Sequence, residues 1–219
     1  MNVLVVHAHP EPRSFTAALM RKTAEVAEAA GHTVTVSDLY AEKFDPVGGR
    51  GDFVTAADPA LFHYQSEQAH AVATGGFAPE LAREQARVAA ADLLVFHFPI
   101  WWGAPPAILK GWFDRVLAFG FAYRDGTRFE TGLFKGKTAI CSLATGGTEK
   151  RFSEGDAYGT IEQVLWPVQR LGLAYLGMRV LDPFVAHAVS RIDADARAAL
   201  LDAWGRRLAG ELAGVAAAA

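Results

Sequence analysis

Three short segments of the chain combine residue types suited to holding a flat, phosphate-bearing ligand. The first is His9-Pro10-Glu11-Pro12-Arg13-Ser14-Phe15-Thr16, which runs into a helix start. Backbone N–H groups at such a start, with the Ser14 and Thr16 hydroxyls and the His9 imidazole, can hold phosphate. The second is Pro99-Ile100-Trp101-Trp102-Gly103-Ala104-Pro105-Pro106, rigid and aromatic, a wall for a conjugated ring. The third is Ala144-Thr145-Gly146-Gly147-Thr148, whose glycines let backbone approach a ligand edge and present N–H donors. Each also has a plain structural reading: Ser14 as a helix cap, the tryptophans as core or interface anchors, Gly146-Gly147 as a turn. A phosphate loop, an aromatic wall and a donor loop together fit a flavin.

The elements around these segments place all three on one edge. Val3–Val6 is an apolar run, as a strand buried on both faces should be. Ser14 caps a helix with an apolar stripe at Ala17, Ala18, Met20, Ala24, Val26 and Ala27, which Gly31 ends. Thr33–Val36 is a second strand, completing a βαβ unit. Leu93–Phe96, Thr138–Leu143 and a run beginning Arg179-Val180-Leu181 are the remaining strands. Helices are expected from Pro79 to about Ala90, Pro106 to about Leu117, Thr160 to Leu171 and Asp193 toward Gly210. From Leu39 to Phe77 periodicity is lost among Pro46, Gly48, Gly49, Gly51, Pro59, Gly75 and Gly76; so long an irregular segment is usually functional or wrapped around a partner. Five strands alternating with five helices predict a three-layer α/β domain with a parallel sheet over residues 1–215, and a frayed tail at 216–219. The three segments then follow strands one, three and four, at the carboxyl edge where open α/β sheets bind ligands.

Composition narrows the field. The 219 residues fit one large domain at roughly 100–200 residues per domain. With 21 Lys and Arg against 24 Asp and Glu, the net charge of −3 gives no reason to expect nucleic acid or an anionic membrane as partner. Cys141 is the single cysteine, so no intramolecular disulfide or thiolate cluster forms; it reads as a small buried hydrophobe. No signal peptide is recognised, and Pro99, Gly103, Pro105 and Pro106 break the longest uncharged stretch, so no membrane insertion is expected. A reducing, cytoplasmic setting fits these features. Gly132–Thr138 is one residue short of a Walker A loop and precedes a strand rather than following one. No G-x-G-x-x-G follows the first strand. His7 and His9 lack a third ligand at suggestive spacing, so no metal is expected.

The sequence resembles the NAD(P)H:quinone oxidoreductase family, of flavodoxin-like fold, along nearly its whole length. The resemblance lies in His7–Phe15, Ser37–Tyr40, Glu84-Gln85, Ala90–Leu93, Phe98–Trp102, Pro106–Val116, Thr145–Gly147, Leu165–Pro167 and Asp195–Arg197. Pro106–Val116 is the most specific block. The resemblance implies a five-stranded parallel sheet in order 2-1-3-4-5 with helices on both faces. It implies a cytoplasmic homodimer carrying FAD, with FMN the lesser alternative, that takes hydride from NADH or NADPH and passes two electrons to a quinone. His9, Ser14, Phe15 and Thr16 match the phosphate end of the flavin site, and Pro99, Ile100 and Trp102 its wall, beside Trp101. Thr145, Gly146 and Gly147 match the loop at the isoalloxazine edge. Asp114 and Arg197 match positions near the adenosine half, Tyr123 an active-site tyrosine, and His63 a dimer-interface position near the flavin. The expected form is the short one, without the C-terminal segment of mammalian members.

Departures from the family pattern bear on the site. Gly103 stands where a bulky aromatic can line the pocket, and Asp125 where a second tyrosine is expected. Phe152 and Tyr158 stand where a tyrosine and a histidine steady the flavin's anionic edge. Phe152 has no polar atom; Tyr158 has an O–H that can donate to developing charge beside the Gly146 and Gly147 N–H groups. The long Leu39–Phe77 segment and the aromatic Phe98–Phe121 stretch favour a homodimer with the site at its interface. Other readings are a reductase of azo or nitro compounds, and a flavin-binding regulatory subunit of a membrane transporter.

Overall fold

β1 (Asn2–His7) is buried from Val3 onward, because both its neighbours in the sheet and helices on both faces cover it. The computed structural model describes residues 1–218. In chain order it contains β1, α1 (Phe15–Ala29), β2 (Thr33–Asp38), α2 (Tyr64–Thr74), α3 (Pro79–Ala90), β3 (Leu93–Pro99), α4 (Ala107–Val116), β4 (Thr138–Ala144), α5 (Ile161–Val168), β5 (Arg179–Val180), β6 (Phe184–Ala186) and α6 (Ala194–Ala218). The sheet is parallel, in order β2-β1-β3-β4-β5, with β6 also on β4. Both faces are covered, so β3 and β4 are buried end to end and read as unbroken apolar runs. Trp204, Leu208 and Leu212 of α6 join Leu19 and Ala27 of α1 against one face. Leu81 and Val88 of α3, Leu109, Trp112 and Val116 of α4 and Leu165 of α5 pack against the other.

The structure corrects the sequence reading at four places. The last strand is split: β5 pairs with Thr138 and Ala139, β6 with Ser142 to Ala144, and Pro183, which has no N–H to donate, lies between. The Thr160–Leu171 helix is α-helical only to Val168; past Pro167 it widens into a π-type turn over Gln169–Ala174. The Leu39–Phe77 segment is not irregular throughout, because it contains α2, making six α-helices among the described residues. α6 outruns its expected end near Gly210 because its apolar stripe continues through Leu212 and Val215. The frayed end expected at 216–219 falls on side chains outside those described.

The rest of that segment is a strap across α3 and α4. Asp52, 1% exposed, accepts from Arg115 Nη2 at 2.7 Å and Nε at 3.0 Å, and from the Tyr64 hydroxyl. Arg115 Nη1 also donates to Glu80 at 3.0 Å and to the Asp45 carbonyl. Gly111 is required beneath it: a Cβ there would lie 2.2 Å from the Pro46 carbonyl oxygen.

Candidate active site

The loops after β1, β3 and β4 emerge side by side because their strands are adjacent and in register. In the first, Ser14 Oγ accepts from Ala17 N–H at 3.1 Å, so Ser14 is the helix cap. Among the described residues the N–H groups of Phe15 and Thr16 have no acceptor, the usual condition of a helix's first turn and the one that suits an anion. The Phe15 ring packs into the α1–α6 core and the Thr16 side chain is buried, so these two offer backbone rather than side chain. His9 Nδ1 accepts from Glu11 N–H at 3.0 Å, and its ring stands edge-on to Trp101, 5.9 Å between centroids. Burial lowers the His9 imidazole's basicity, and Glu11 works the other way.

The second loop is a tight reversal. Trp101 N–H donates to Ala104 at 2.9 Å and Ala104 N–H returns to Trp101 at 3.1 Å. Trp102 and Gly103 between them have φ of 52° and 72°. Two left-handed residues make this a primed hairpin turn, which suits Gly103 and strains Trp102. The Trp102 side chain is fully exposed. Pro99, by contrast, is buried at the end of β3.

The third loop leaves its donors unspent. Thr145 N–H is taken by Ala186, but among the described residues the N–H groups of Gly146 and Gly147 meet no protein acceptor. Ile100, Trp102, Gly103, Thr145, Gly146, Gly147, Phe152 and Tyr158 line a cavity of about 570 Å³. Among the described residues, nothing beyond the adjoining residues lies within 4 Å of where a Cβ on Gly103 or Gly146 would sit, so a ring can approach the backbone there, whereas Phe152 and Tyr158 close off Gly147 at 3.0 and 3.1 Å. Those free donors and that open cradle fit a flavin's pyrimidine edge. Tyr158 is exposed, and its ring stacks at a tilt on Phe152, 5.3 Å between centroids.

A second, mostly apolar cavity of about 690 Å³ lies against the first, with Trp102 in both walls. Trp101, Asp114, Phe113, Tyr123, Pro167 and Tyr175 also line it. The Tyr123 hydroxyl accepts from Gln65 Nε2 at 3.1 Å, which ties the start of α2 to this cavity. His63 caps α2, its Nδ1 accepting from Ser66 N–H at 3.3 Å. Asp114 is paired with Lys110 at 2.6 Å. Arg197 donates to the Ile192 carbonyl at 2.5 Å and stands on α6, on the face of the sheet opposite α4 and Asp114.

Two features escaped the sequence reading. His187 lies just past β6, its Nδ1 3.3 Å from Thr145 Oγ1. It belongs to the same carboxyl edge, and counting β6 as a strand beside β4 would have found it. Beneath the loops, Asp38, His7, His97 and Ser142 sit in register across β2, β1, β3 and β4. His97 Nε2 is 2.8 Å from Thr23 Oγ1, which also accepts from Trp204 Nε1. Among the described residues, Nδ1 of both histidines and Ser142 Oγ have no partner. Burial pushes His7 down to about 4 and His97 to about 3.

A family profile described as a flavodoxin-like fold matches residues 1–208. The chain belongs to that family. Within it, the chain is 40% identical over 206 residues to the NAD(P)H dehydrogenase (quinone) 1 of Cavia porcellus, covering 94% of this chain and 75% of the relative. It is equally 40% identical over 207 residues to the ribosyldihydronicotinamide dehydrogenase (quinone) of Pongo abelii, covering 94% and 90%. A solved structure from Klebsiella pneumoniae, provisionally assigned as a quinone reductase, superposes with a TM-score of 0.91 at 36% identity, covering 95% of this chain and 83% of that one. No helix among the described residues is long and apolar enough to cross a membrane.

Proposed function

We propose that this chain is an NAD(P)H:quinone oxidoreductase that works through a bound flavin. The observation that carries the reading is the cavity between the β3 and β4 loops, lined by Trp102 and by Gly146 and Gly147, whose backbone donors are unspent. The names of the relatives support the substrate class. A bound flavin supplies hydride acceptance from NADH or NADPH and two-electron delivery to a quinone, in a ping-pong cycle.

The chain's own residues bind, orient and stabilise. The α1 amino end, with His9 beside it, holds phosphate through Phe15 and Thr16 N–H. Ile100 and Trp102 form the wall that keeps a ring flat and excludes water, with Pro99 buried behind them and Trp101 in the wall of the adjoining cavity. Gly146 and Gly147 N–H groups stand fixed where negative charge collects, which costs no reorganisation when it does. Tyr158 O–H adds a side-chain donor at the same edge, and Tyr123, held by Gln65, bounds the acceptor's side.

FAD is proposed over FMN, with Asp114 and Arg197 at its adenosine half. Because those two stand on opposite faces of one sheet, a homodimer is the arrangement in which one protomer's Asp114 and the other's Arg197 flank one adenosine, with His63 near the interface. The exposed Trp166 and Leu171 support such an interface. A cytoplasmic location is proposed, which a lone buried Cys141 fits.

The test is to purify the protein, identify the released chromophore by mass spectrometry, and follow NAD(P)H oxidation with and without benzoquinone. FAD and quinone-dependent oxidation are expected. Absence of flavin, or oxidation indifferent to quinone, overturns the reading; light scattering that shows an active monomer overturns the dimer.

A further inference from the structure

The segment after β6 is zipped to the donor loop. Thr145 N–H donates to Ala186 at 2.9 Å, Ala188 N–H to Gly147 at 2.9 Å and Val189 N–H to Thr145 at 3.2 Å. Ala188 takes a left-handed φ of 52°, rare for a residue with a Cβ, to make its bond. His187 lies inside this zipper, half-buried, its ring 5.6 Å from that of Phe152. Thr145 Oγ1 donates its one proton to the Gly147 carbonyl at 2.7 Å. Toward His187 Nδ1, 3.3 Å away, it therefore acts as acceptor, which puts the imidazole proton on Nδ1 and leaves the Nε2 lone pair open.

We propose that His187 is a positioning residue that locks the Thr145–Gly147 loop through Thr145 Oγ1 and takes up a proton when the ring bound against that loop gains negative charge. The proposal rests on the flavin reading above. Hydride transfer brings a ring two electrons and one proton, leaving one net negative charge. The second proton comes from solvent and settles on His187 Nε2, making an imidazolium behind the donor loop. Burial lowers the imidazole's basicity, and Glu149 is the carboxylate that pulls toward the charged form. The other groups around it are the Tyr158 hydroxyl, stacked through Phe152, and Arg197 on α6, whose Nη1 reaches the Val189 carbonyl at 3.5 Å.

The experiment is a spectroelectrochemical titration of the holoenzyme's bound flavin at several values between about pH 6 and 8, where imidazoles titrate. It counts protons taken up per electron pair. The wild type is expected to take up two over part of that range. His187→Gln keeps a donor for Thr145 Oγ1 and cannot titrate; it is expected to take up one throughout, with flavin affinity near wild type. His187→Phe removes both functions, and flavin affinity, read by fluorescence quenching, is expected to fall about tenfold, the worth of one hydrogen bond. Equal proton counts in wild type and His187→Gln overturn the proton uptake. Unchanged affinity in His187→Phe overturns the positioning role. A wild type that retains no flavin overturns the flavin reading, and this proposal with it.

Discussion

The strap between β2 and α3 and the loops after β3 and β4 look alike as sequence, both rich in glycine, proline and aromatic residues, yet they use their polar groups in opposite ways. The strap spends its charge on the helices beside it. Asp52, Arg115, Glu80 and Tyr64 answer one another, and burial with Asp52 alongside pushes the Tyr64 phenol well above its ordinary range. The loops leave theirs unspent: among the described residues the Gly146 and Gly147 N–H groups meet no acceptor, and Trp102 holds a strained backbone with its side chain in solvent. A segment whose polar groups are answered within the chain holds the fold together. One whose donors stay open is preorganised for something not of the chain.

The largest effect is expected in acid, from the sheet carrying both regions. His7 and His97 are neutral when folded, while unfolded they protonate near the ordinary imidazole value of about 6.5. Folding is therefore unaffected by them above that value, and loses up to about 1.4 kcal/mol per pH unit for each as pH falls toward 4 and 3. Urea denaturation across this window measures it, and His97→Gln should halve the slope. A slope that stays unchanged means that His97 is not buried neutral. Asp52→Ala should cost about 1.5–3 kcal/mol, since it removes the carboxylate from Arg115 Nε and Nη2 and leaves the guanidinium only Glu80 and the Asp45 carbonyl, while flavin affinity of the folded fraction is unchanged. Gly111→Ala should cost about 1–3 kcal/mol by forcing the strap off α4. If either variant weakens flavin binding as much as stability, the division between strap and loops fails.

Trp102→Ala is the reverse case. It should leave stability within about 0.5 kcal/mol, as an exposed side chain, and weaken flavin binding by about 1–1.5 kcal/mol, as a lost ring contact. Calorimetry with and without flavin separates the two. Tyr158→Phe is expected to slow flavin reduction about tenfold, ~1.4 kcal/mol, with stability untouched. Stopped-flow rates within twofold of wild type would leave the backbone donors alone at that edge.

The sheet and its carboxyl-edge loops were legible because strands buried on both faces write themselves as apolar runs, and each loop begins where a run stops. α2 was not legible. Its sequence, Tyr64–Thr74, carries no apolar stripe, because polar contacts hold it: Glu67 accepts from Ala57 N–H and Gln68 from Phe119 N–H. The split of the last strand was invisible because two residues of β5 and three of β6 are too few to show a period, and His187 was lost with it. Ser14 was open to two readings, and only coordinates give its hydroxyl to Ala17. Resemblance put Asp114 and Arg197 at one adenosine. That they stand on opposite faces of the sheet is a fact of topology that no spacing encodes.

The order of pairing in the sheet has a consequence for how the chain is made. β1 lies between β2 and β3, so Val3 meets Val34 early but waits for Leu93 on its other side, and its outer cover includes Trp204, near the chain's far end. A chain emerging from the ribosome at about 5–20 residues per second can close β1, α1 and β2 into one unit within seconds. That unit keeps an open edge of apolar backbone until β3 arrives and a bare face until α6 docks. The residues born first are therefore the last to be enclosed, and the interval between is when this protein has most need of a chaperone.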